Sequence, residues 1–405
     1  MKIELTDPLF LEAQPILKRI ESHGYEAYFV GGCVRDTLLG KTIHDIDIAS
    51  SALPNEIEGI FYNTIDVGKE HGTIIVVEKH IPYEITTFRT EGNYSDFRHP
   101  DTVNFVRDLR EDTLRRDFTI NALAFDAEGQ LFDYHHGVED LQAQLIRAVG
   151  VPAERFQEDA LRIIRAIRFA SQLGFTIEPL TFEAIQQYAH LLPKIAVERV
   201  RIELSKYFQG SHFKDNALLL FDTQISQHLP LLDGLDCQKA LQYMNEQIPP
   251  SLMIEENFAW FLFAKGLGLT VTQANKFLRK WTHSNHLIQD VKDLYELDKI
   301  IQQGPLTLWE VYHYKMALIN PVEARQQHLN PDYQPVAKEL KSQLVIHQKA
   351  DLVANGKTIM GWLGLEKGNA QLGALLGEME YQVVMRQLPN EEEALKAFAL
   401  NYGIE

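Results

Sequence analysis

The sequence predicts an α+β fold: a mixed head over residues 1–150 carrying a small sheet, followed by a helical remainder. Three observations carry this. Helix and strand patterns alternate through the first part of the chain. Strand signals almost vanish after Gly150-Val151-Pro152. Long segments with apolar residues at a 3.6-residue period then take over.

Leu11 to His23 has the apolar spacing of an amphipathic helix. Tyr28-Phe29-Val30 reads as a short strand that runs into Gly31-Gly32, and Asp36 to Gly40 as a helix. Asp45 to Ala49 alternates polar and apolar at period 2, the mark of a half-buried strand. Gly72 to Glu78 and Tyr83 to Phe88 read as two strands joined by a turn near His80 and Pro82. Beyond residue 150, Glu154 to Leu173, Thr181 to His190 and Val197 to Phe208 read as helices. Gly210-Ser211 and Gln303-Gly304-Pro305 mark later boundaries, so the expected parts are 1–150, 151–210, 211–304 and 305–405. No internal repeat or low-complexity tract interrupts them.

Composition narrows the function classes. The 405 residues are 45% hydrophobic, enough for more than one core. Two cysteines, Cys33 and Cys237, exclude a disulfide framework, and no Cys/His cluster has zinc spacing. The first seven residues carry charges of both signs and no apolar run, unlike a signal peptide. No stretch approaches 18 continuous apolar residues, so no membrane partner is expected and a cytoplasmic location is. The net charge of −17 argues against a sweep of positive potential for nucleic acid. Residues 151–215, with nine basic and eight acidic side chains, are the one part that is not acidic, so an RNA contact would be local and shape-driven.

Three strings carry chemistry. The first is Gly31-Gly32-Cys33-Val34-Arg35-Asp36 followed by His44-Asp45-Ile46-Asp47-Ile48-Ala49. Paired glycines at a strand end let backbone N–H groups approach phosphate oxygens, and a following helix N-terminus adds to that field. Asp45 and Asp47, two apart on a strand, point to one face, with Ile46 and Ile48 toward the core. Two adjacent carboxylates repel unless a cation sits between them, and Mg²⁺ is held by one or two carboxylates together with substrate phosphates. An isolated Asp-x-Asp is more often a solvated strand; the glycine pair upstream reverses that balance. Two imitations of a phosphate-binding loop, Gly40-Lys41-Thr42 and Gly356-Lys357-Thr358, lack the glycine required five residues earlier, where Arg35 and Asp351 stand.

The second string, Arg115-Arg116-Asp117-Phe118-Thr119-Ile120-Asn121-Ala122, offers two guanidiniums for a triphosphate and a carboxylate for a ribose hydroxyl. An exposed helix start capped by Asp117 is the plainer alternative. The third runs from Glu158 to Arg168. Ala160, Ile163, Ile164 and Ile167 form an apolar stripe, with Glu158, Asp159, Arg162 and Arg165 opposite and Arg168 at the edge. Taken alone, this is a solvated face laced with ion pairs, as is Glu198 to Glu203.

Together these strings resemble class II tRNA nucleotidyltransferases of the CCA-adding kind, polymerase β-like enzymes, and those of Gram-positive bacteria most closely. The resemblance covers nearly the whole chain and is densest over residues 25–205; Asn355-Gly356-Lys357 extends it to the tail. It implies a polymerase β-like nucleotidyltransferase head with an all-helical neck, body and tail. It implies a catalytic role and Mg²⁺ ligation for Asp45 and Asp47, and ATP and CTP contacts from Gly32, Arg35, Arg116, Asp159, Arg162, Arg165 and Arg168. It implies tRNA as partner, its acceptor arm along the helical parts, with base recognition in the neck and tRNA binding in the tail. Relatives are often homodimers. Glu84 is a candidate third acidic group near the metals. The segment Asp96-Phe97-Arg98-His99-Pro100 carries His99 where relatives are expected to have arginine, a departure that bears on the loop's behaviour.

Base choice follows from hydrogen-bond chemistry. Cytosine presents an amino donor beside a ring acceptor, and adenine presents the same pair; uracil and guanine present the reverse. One carboxylate beside one guanidinium therefore accepts C and A and rejects U and G. Asp159 and Arg162, a helical turn apart, form such a pair, so the protein itself would act as template. The rival readings are a bacterial poly(A) polymerase, a partial enzyme adding only C-C or only A, a small-molecule nucleotidyltransferase, which has no need of the long helical tail, and an RNA-binding protein with an inactive head, which would not need both Asp45 and Asp47.

Overall fold

The computed structural model describes residues 1–92 and 103–402. The loop around residues 93–101, with His99, lies outside the described residues. The chain forms two compact units, 1–238 and 239–405.

The first unit opens with α1 (Pro8–Ser22). It starts three residues earlier than the apolar pattern predicts because Asp7 caps it, accepting from Leu9 N at 2.9 Å, and Pro8 supplies a pre-set φ at the first turn. Its apolar face, Phe10, Ala13, Ile16, Leu17 and Ile20, is buried. The strands are β1 (Ala27–Val30), β2 (Asp47–Ser50), β3 (Thr64–Gly68), β4 (Thr73–Glu78), β5 (Ile81–Thr87), β6 (Arg89–Glu91), β7 (Val103–Phe105), β8 (Leu123–Phe125), β9 (Leu131–Asp133), β10 (Leu145–Ile146) and β11 (Thr176–Ile177). Seven form one mixed sheet in the order β3-β4-β5-β2-β1-β8-β9; only the β2–β5 pairing is parallel. β6 and β7 form a separate antiparallel ribbon.

Short helices connect the strands: α2 (Gly32–Leu38), α3 (Pro54–Ile60), α4 (Leu109–Leu114) and α5 (Gly137–Gln142). α2 differs from the expected Asp36–Gly40 helix. Gly31, at φ 76°, turns the chain directly from β1 into the helix, so Gly32 is already its first residue. β2 also begins later than expected. Asp45 and Ile46 belong to the preceding loop, and Ile46 is half-buried while Ile48 is in the core.

The largest departure lies at residues 154–173. The expected single helix is two, α6 (Pro152–Glu158) and α7 (Leu161–Leu173), broken at Asp159 and Ala160. Asp159 adopts extended backbone (φ −134°, ψ 103°), and its side chain accepts from Leu161 N at 3.0 Å. A short polar side chain that satisfies a free helix-start N–H favours a restart over continuation. α8 (Pro179–Tyr188) is capped by Glu178, and α9 (Val197–Phe208) occupies the span predicted for it. β10 and β11 pair in parallel, so the stretch after residue 150 is not helical throughout. Two single-turn helices follow, α10 (Phe213–Asn216) and α11 (Leu219–Asp222).

The boundary between units falls within α12 (Cys237–Gln247). The second unit continues with α13 (Glu256–Gly266), α14 (Val271–Lys280), α15 (Asn285–Gln303), α16 (Leu308–His313), α17 (Met316–Leu329), α18 (Ala337–Gln343), α19 (Gly356–Leu363), α20 (Ala370–Val384) and α21 (Glu392–Asn401). α13 is apolar on every side and buried from Phe258 to Ala264. A side chain at Gly266 would meet the Ala240 backbone at 2.8 Å, so glycine there lets α12 and α13 approach closely. Among the described residues, no helix is long and apolar enough to cross a membrane.

Candidate active site

A cleft of about 690 Å³ opens in the first unit. All nine residues singled out from the sequence line it: Gly32, Arg35, Asp45, Asp47, Arg116, Asp159, Arg162, Arg165 and Arg168. They come from α2, the β2 start, the stretch after α4, the α6–α7 break and α7. In a chain of net charge −17, eight arginines and six carboxylates line this one cleft.

The carboxylates sit where sheet and helix meet. β2 pairs antiparallel with β1 (Asp47 opposite Val30) and parallel with β5 (Asp47 opposite Glu84). That register puts Asp47 beside Gly31, where a Cβ would lie 3.5 Å from its Oδ2. Asp47 meets solvent, but the solvent of a walled cleft. Desolvation by the surrounding protein, then the like charges of Asp45 and Glu84, push its carboxyl up to about 6, against the opposing pull of Arg116. Among the described residues, no three His, Cys, Asp or Glu side chains form a metal-holding group. Glu84 lines the cleft opposite Asp47 and repels it. The fit is to a cation held by two carboxylates, with remaining ligands from substrate. Cys33, nearby in α2, is buried and its thiol is pushed up to about 12, chiefly by desolvation, so it is unreactive.

The arginines are held by carboxylates that the sequence presents as solvated. Asp112, in α4, is fully buried and accepts from Arg115 at 2.7 Å and Arg116 at 3.2 Å. Arg35 donates to Asp36 (2.8 Å) and to Asn121 Oδ1 (2.7 Å). Asn121 Nδ2 in turn donates to Asp117 Oδ1 at 3.0 Å. Asp117 also receives Arg165 (2.6 Å) and its neighbour's Phe118 N (2.8 Å). It is thus an internal anchor for the cleft wall rather than an exposed helix cap.

The face of α7 is likewise not a solvated surface. Arg162 is 9% exposed; it meets Glu158 at 2.6 Å and donates to the Arg115 carbonyl, also at 2.6 Å. Asp159 meets Arg199 of α9 at 2.8 Å. Arg168 approaches the buried Glu203 of α9 at 3.1 Å. Asp159 and Arg162 therefore do not share one helix as expected, since the break at residue 159 separates them, and each has its own charged partner. Arg199 and Glu203 were legible only as an exposed charged face, because nothing local reveals that α9 packs beside α7. Lys41 and Thr42 lie in an exposed loop, and Gly356 starts α19 beneath the Asn355 cap; neither imitation of a phosphate loop lines the cleft.

Comparison with known proteins identifies the family. The family described as Poly A polymerase head domain matches residues 27–147. The family described as probable RNA and SrmB-binding site of polymerase A matches 174–235, and the putative tRNA nucleotidyltransferase domain 2 matches 253–399. The CCA-adding enzyme of Streptococcus agalactiae is 42% identical over 99% of each chain, and that of Enterococcus faecalis 44% identical over 98% of each. The crystal structure of the Bacillus stearothermophilus CCA-adding enzyme in complex with CTP superposes with a TM-score of 0.84 at 36% identity, covering 98% of both chains. Full-length similarity at this level, together with the fold and the cleft, shows that the chain belongs to the family of CCA-adding enzymes.

Proposed function

We propose that this protein adds C, C and A to the 3′ end of tRNA from CTP and ATP, without a nucleic-acid template and with release of pyrophosphate. The reaction joins the terminal 3′-oxygen to the α-phosphorus of the incoming nucleotide, breaks the bond to pyrophosphate, and frees the hydroxyl proton. The observation that carries this reading is the cleft in which two neighbouring carboxylates, Asp45 and Asp47, face a wall of arginines. Asp45 and Asp47 would hold Mg²⁺. When bound, the metal supplies activation of the attacking hydroxyl and stabilisation of charge on the leaving pyrophosphate.

The chain's own groups do the remaining work. Backbone N–H groups at Gly31 and Gly32 and the guanidiniums of Arg35, Arg116, Arg165 and Arg168 hold the triphosphate. Asp159 and Arg162 read the base edge, which requires the base to share or displace the contacts they make with Arg199 and Glu158. We also assign the head to residues 1–150, the base-reading neck to 151–210, the body to 211–304 and a tRNA-binding tail to 305–405, in a protein of the cytoplasm. A homodimer is an expectation from the family, and sedimentation of the purified protein tests it.

The test is incubation of purified protein with a tRNA transcript lacking its 3′ end and with single nucleotides. CTP alone should extend the transcript by two residues, and CTP with ATP by three. Asp45→Ala and Asp47→Ala should abolish both steps while the protein stays folded. A poly(A) polymerase, which the head-domain description also fits, would extend with ATP alone and ignore CTP. Near wild-type incorporation by either variant in Mg²⁺ would overturn the metal assignment.

A further inference from the structure

Phe169, on α7, is 5% exposed and lines the cleft. Three guanidiniums converge on its ring. The Cζ of Arg168 lies 4.1 Å from the ring centroid, that of Arg35 5.2 Å and that of Arg165 5.3 Å. Phe118 packs edge-on at 5.7 Å and fixes the ring's orientation. Three like charges in so small a volume repel one another, and something must offset that repulsion.

Carboxylates do so in part, through hydrogen-bonded pairs for two of them and through proximity alone for the third. Arg35 is hydrogen-bonded to Asp36 and Arg165 to Asp117. Arg168 is different. Its side chain is nine-tenths buried, its approach to Glu203 makes no hydrogen bond, and its Nε has no acceptor. Desolvation, then the nearby Arg165, push its guanidinium down to about 10. A buried donor group left unmatched on the wall of a cleft is costly unless a ligand completes it. An aromatic face attracts a cation through its quadrupole without occupying any N–H donor. A carboxylate in its place would consume the donors and cancel the charge; an aliphatic side chain would offer no attraction.

We propose that Phe169 is a positioning residue for nucleotide binding: its ring gathers Arg35, Arg165 and Arg168 while leaving N–H donors free for the triphosphate. This rests on the reading above that these arginines bind nucleotide. The ring touches no reacting atom; it acts through the arginines, and through Arg168 most.

The test separates the ring's electrostatics from its bulk. Phe169 is replaced in the full-length protein by 4-fluoro-, 3,5-difluoro- and 3,4,5-trifluorophenylalanine, which drain the quadrupole stepwise at nearly constant size. CTP and ATP binding is measured by calorimetry without tRNA, and KM and kcat on tRNA lacking its 3′ end. Kd and KM should rise step by step, by about 3- to 10-fold in total. The kcat should change less than about twofold, the pattern of lost uniform binding. Phe169→Tyr should resemble the wild type, and Phe169→Leu the trifluoro protein. If Phe169→Leu does not fold, the fluorinated series still decides. A flat Kd across the series overturns the proposal and makes Phe169 a packing residue. Arg168→Gln and Arg165→Gln distinguish the two levels. If both leave CTP affinity unchanged, the assignment of the nucleotide site fails; if they weaken it while fluorination does nothing, only the role of Phe169 fails.

Discussion

The Asp117 carboxylate carries more of the site than its position in Arg115-Arg116-Asp117 suggests. Burial alone would raise it, but Arg165 and Asn121 more than offset this and hold it well below the usual carboxylate range. A depressed folded value contributes stability that is present above the unfolded value, near 3.9, and lost as pH falls through the folded one. Asp117→Asn should therefore cost about 3 kcal/mol at pH 7, the low end for a broken buried pair because Arg165 keeps Glu203 within 3.8 Å. Urea titrations of variant and wild type should show the gap narrowing below pH 4; a gap independent of pH would mean that shape, not charge, matters there. Base choice belongs to the same scale. A mismatched buried polar group costs roughly 1–3 kcal/mol, so two mismatches at Asp159 and Arg162 give roughly 10- to 10⁴-fold discrimination against UTP and GTP. Asp159→Ala combined with Arg162→Ala should lower kcat/KM for CTP and ATP and narrow the gap to UTP and GTP. An unchanged preference ratio would place base reading elsewhere. The residues in the three strings were recognisable because metal ligation and phosphate binding need particular residue types at fixed spacing. Asp112, Arg199 and Glu203 were not, because holding an arginine from the side requires only a carboxylate or guanidinium from any element that packs there.

Among the elements, those whose local chemistry and packing agree were readable from periodicity. α9 has its predicted bounds, and α1 shifts only because Asp7 and Pro8 form a start signal ahead of the apolar pattern. The α6–α7 break was not readable, since Glu158-Asp159-Ala160-Leu161 contains neither proline nor glycine. The alternatives differ by little in local terms, and the contacts of Asp159 with Leu161 N and Arg199 decide between them. The β4–β5 hairpin shows the opposite case, a turn correctly located with unfavourable residues. Lys79 and His80 both have positive φ, 51° and 67°, as a two-residue hairpin turn with the strands' own twist demands. Replacing them by Asn-Gly should stabilise the protein by about 1–2 kcal/mol, read as a raised urea midpoint. Activity should not change, because the turn is at the end of the hairpin opposite Thr73 and Thr86, which line the cleft.

For the whole molecule, an acidic chain that binds an acidic polymer must restrict its phosphate contacts. Eight of the fifteen arginines of the first unit line the cleft, and most of those eight are paired there. tRNA affinity should then fall only gently with salt. A plot of log affinity against log salt concentration should have a slope of magnitude below about 4, as for a handful of phosphate contacts. A steep slope would reveal a basic track outside the cleft. The four expected parts also meet a coarser division: the chain packs as two units that part at Gln238, inside the stretch assigned to the body. Gly210-Ser211 and Gln303-Gly304-Pro305 are local punctuation, and packing density across them depends on contacts distant in sequence.

The sequence by itself determined the α+β head, the helical remainder and the nine residues that line the cleft, because periodicity and ligand chemistry are written over short spans. Only the tertiary structure decided what those residues lean on. The parallel pairing of β2 with β5 sets Glu84 opposite Asp47, and the packing of α9 beside α7 supplies Arg199 and Glu203. The burial of α4 turns Asp112 into an anchor, and Phe169 becomes the ring on which three arginines meet. These are contacts between segments far apart in the chain. Their free energy depends on burial and distance, which exist only once the chain has folded.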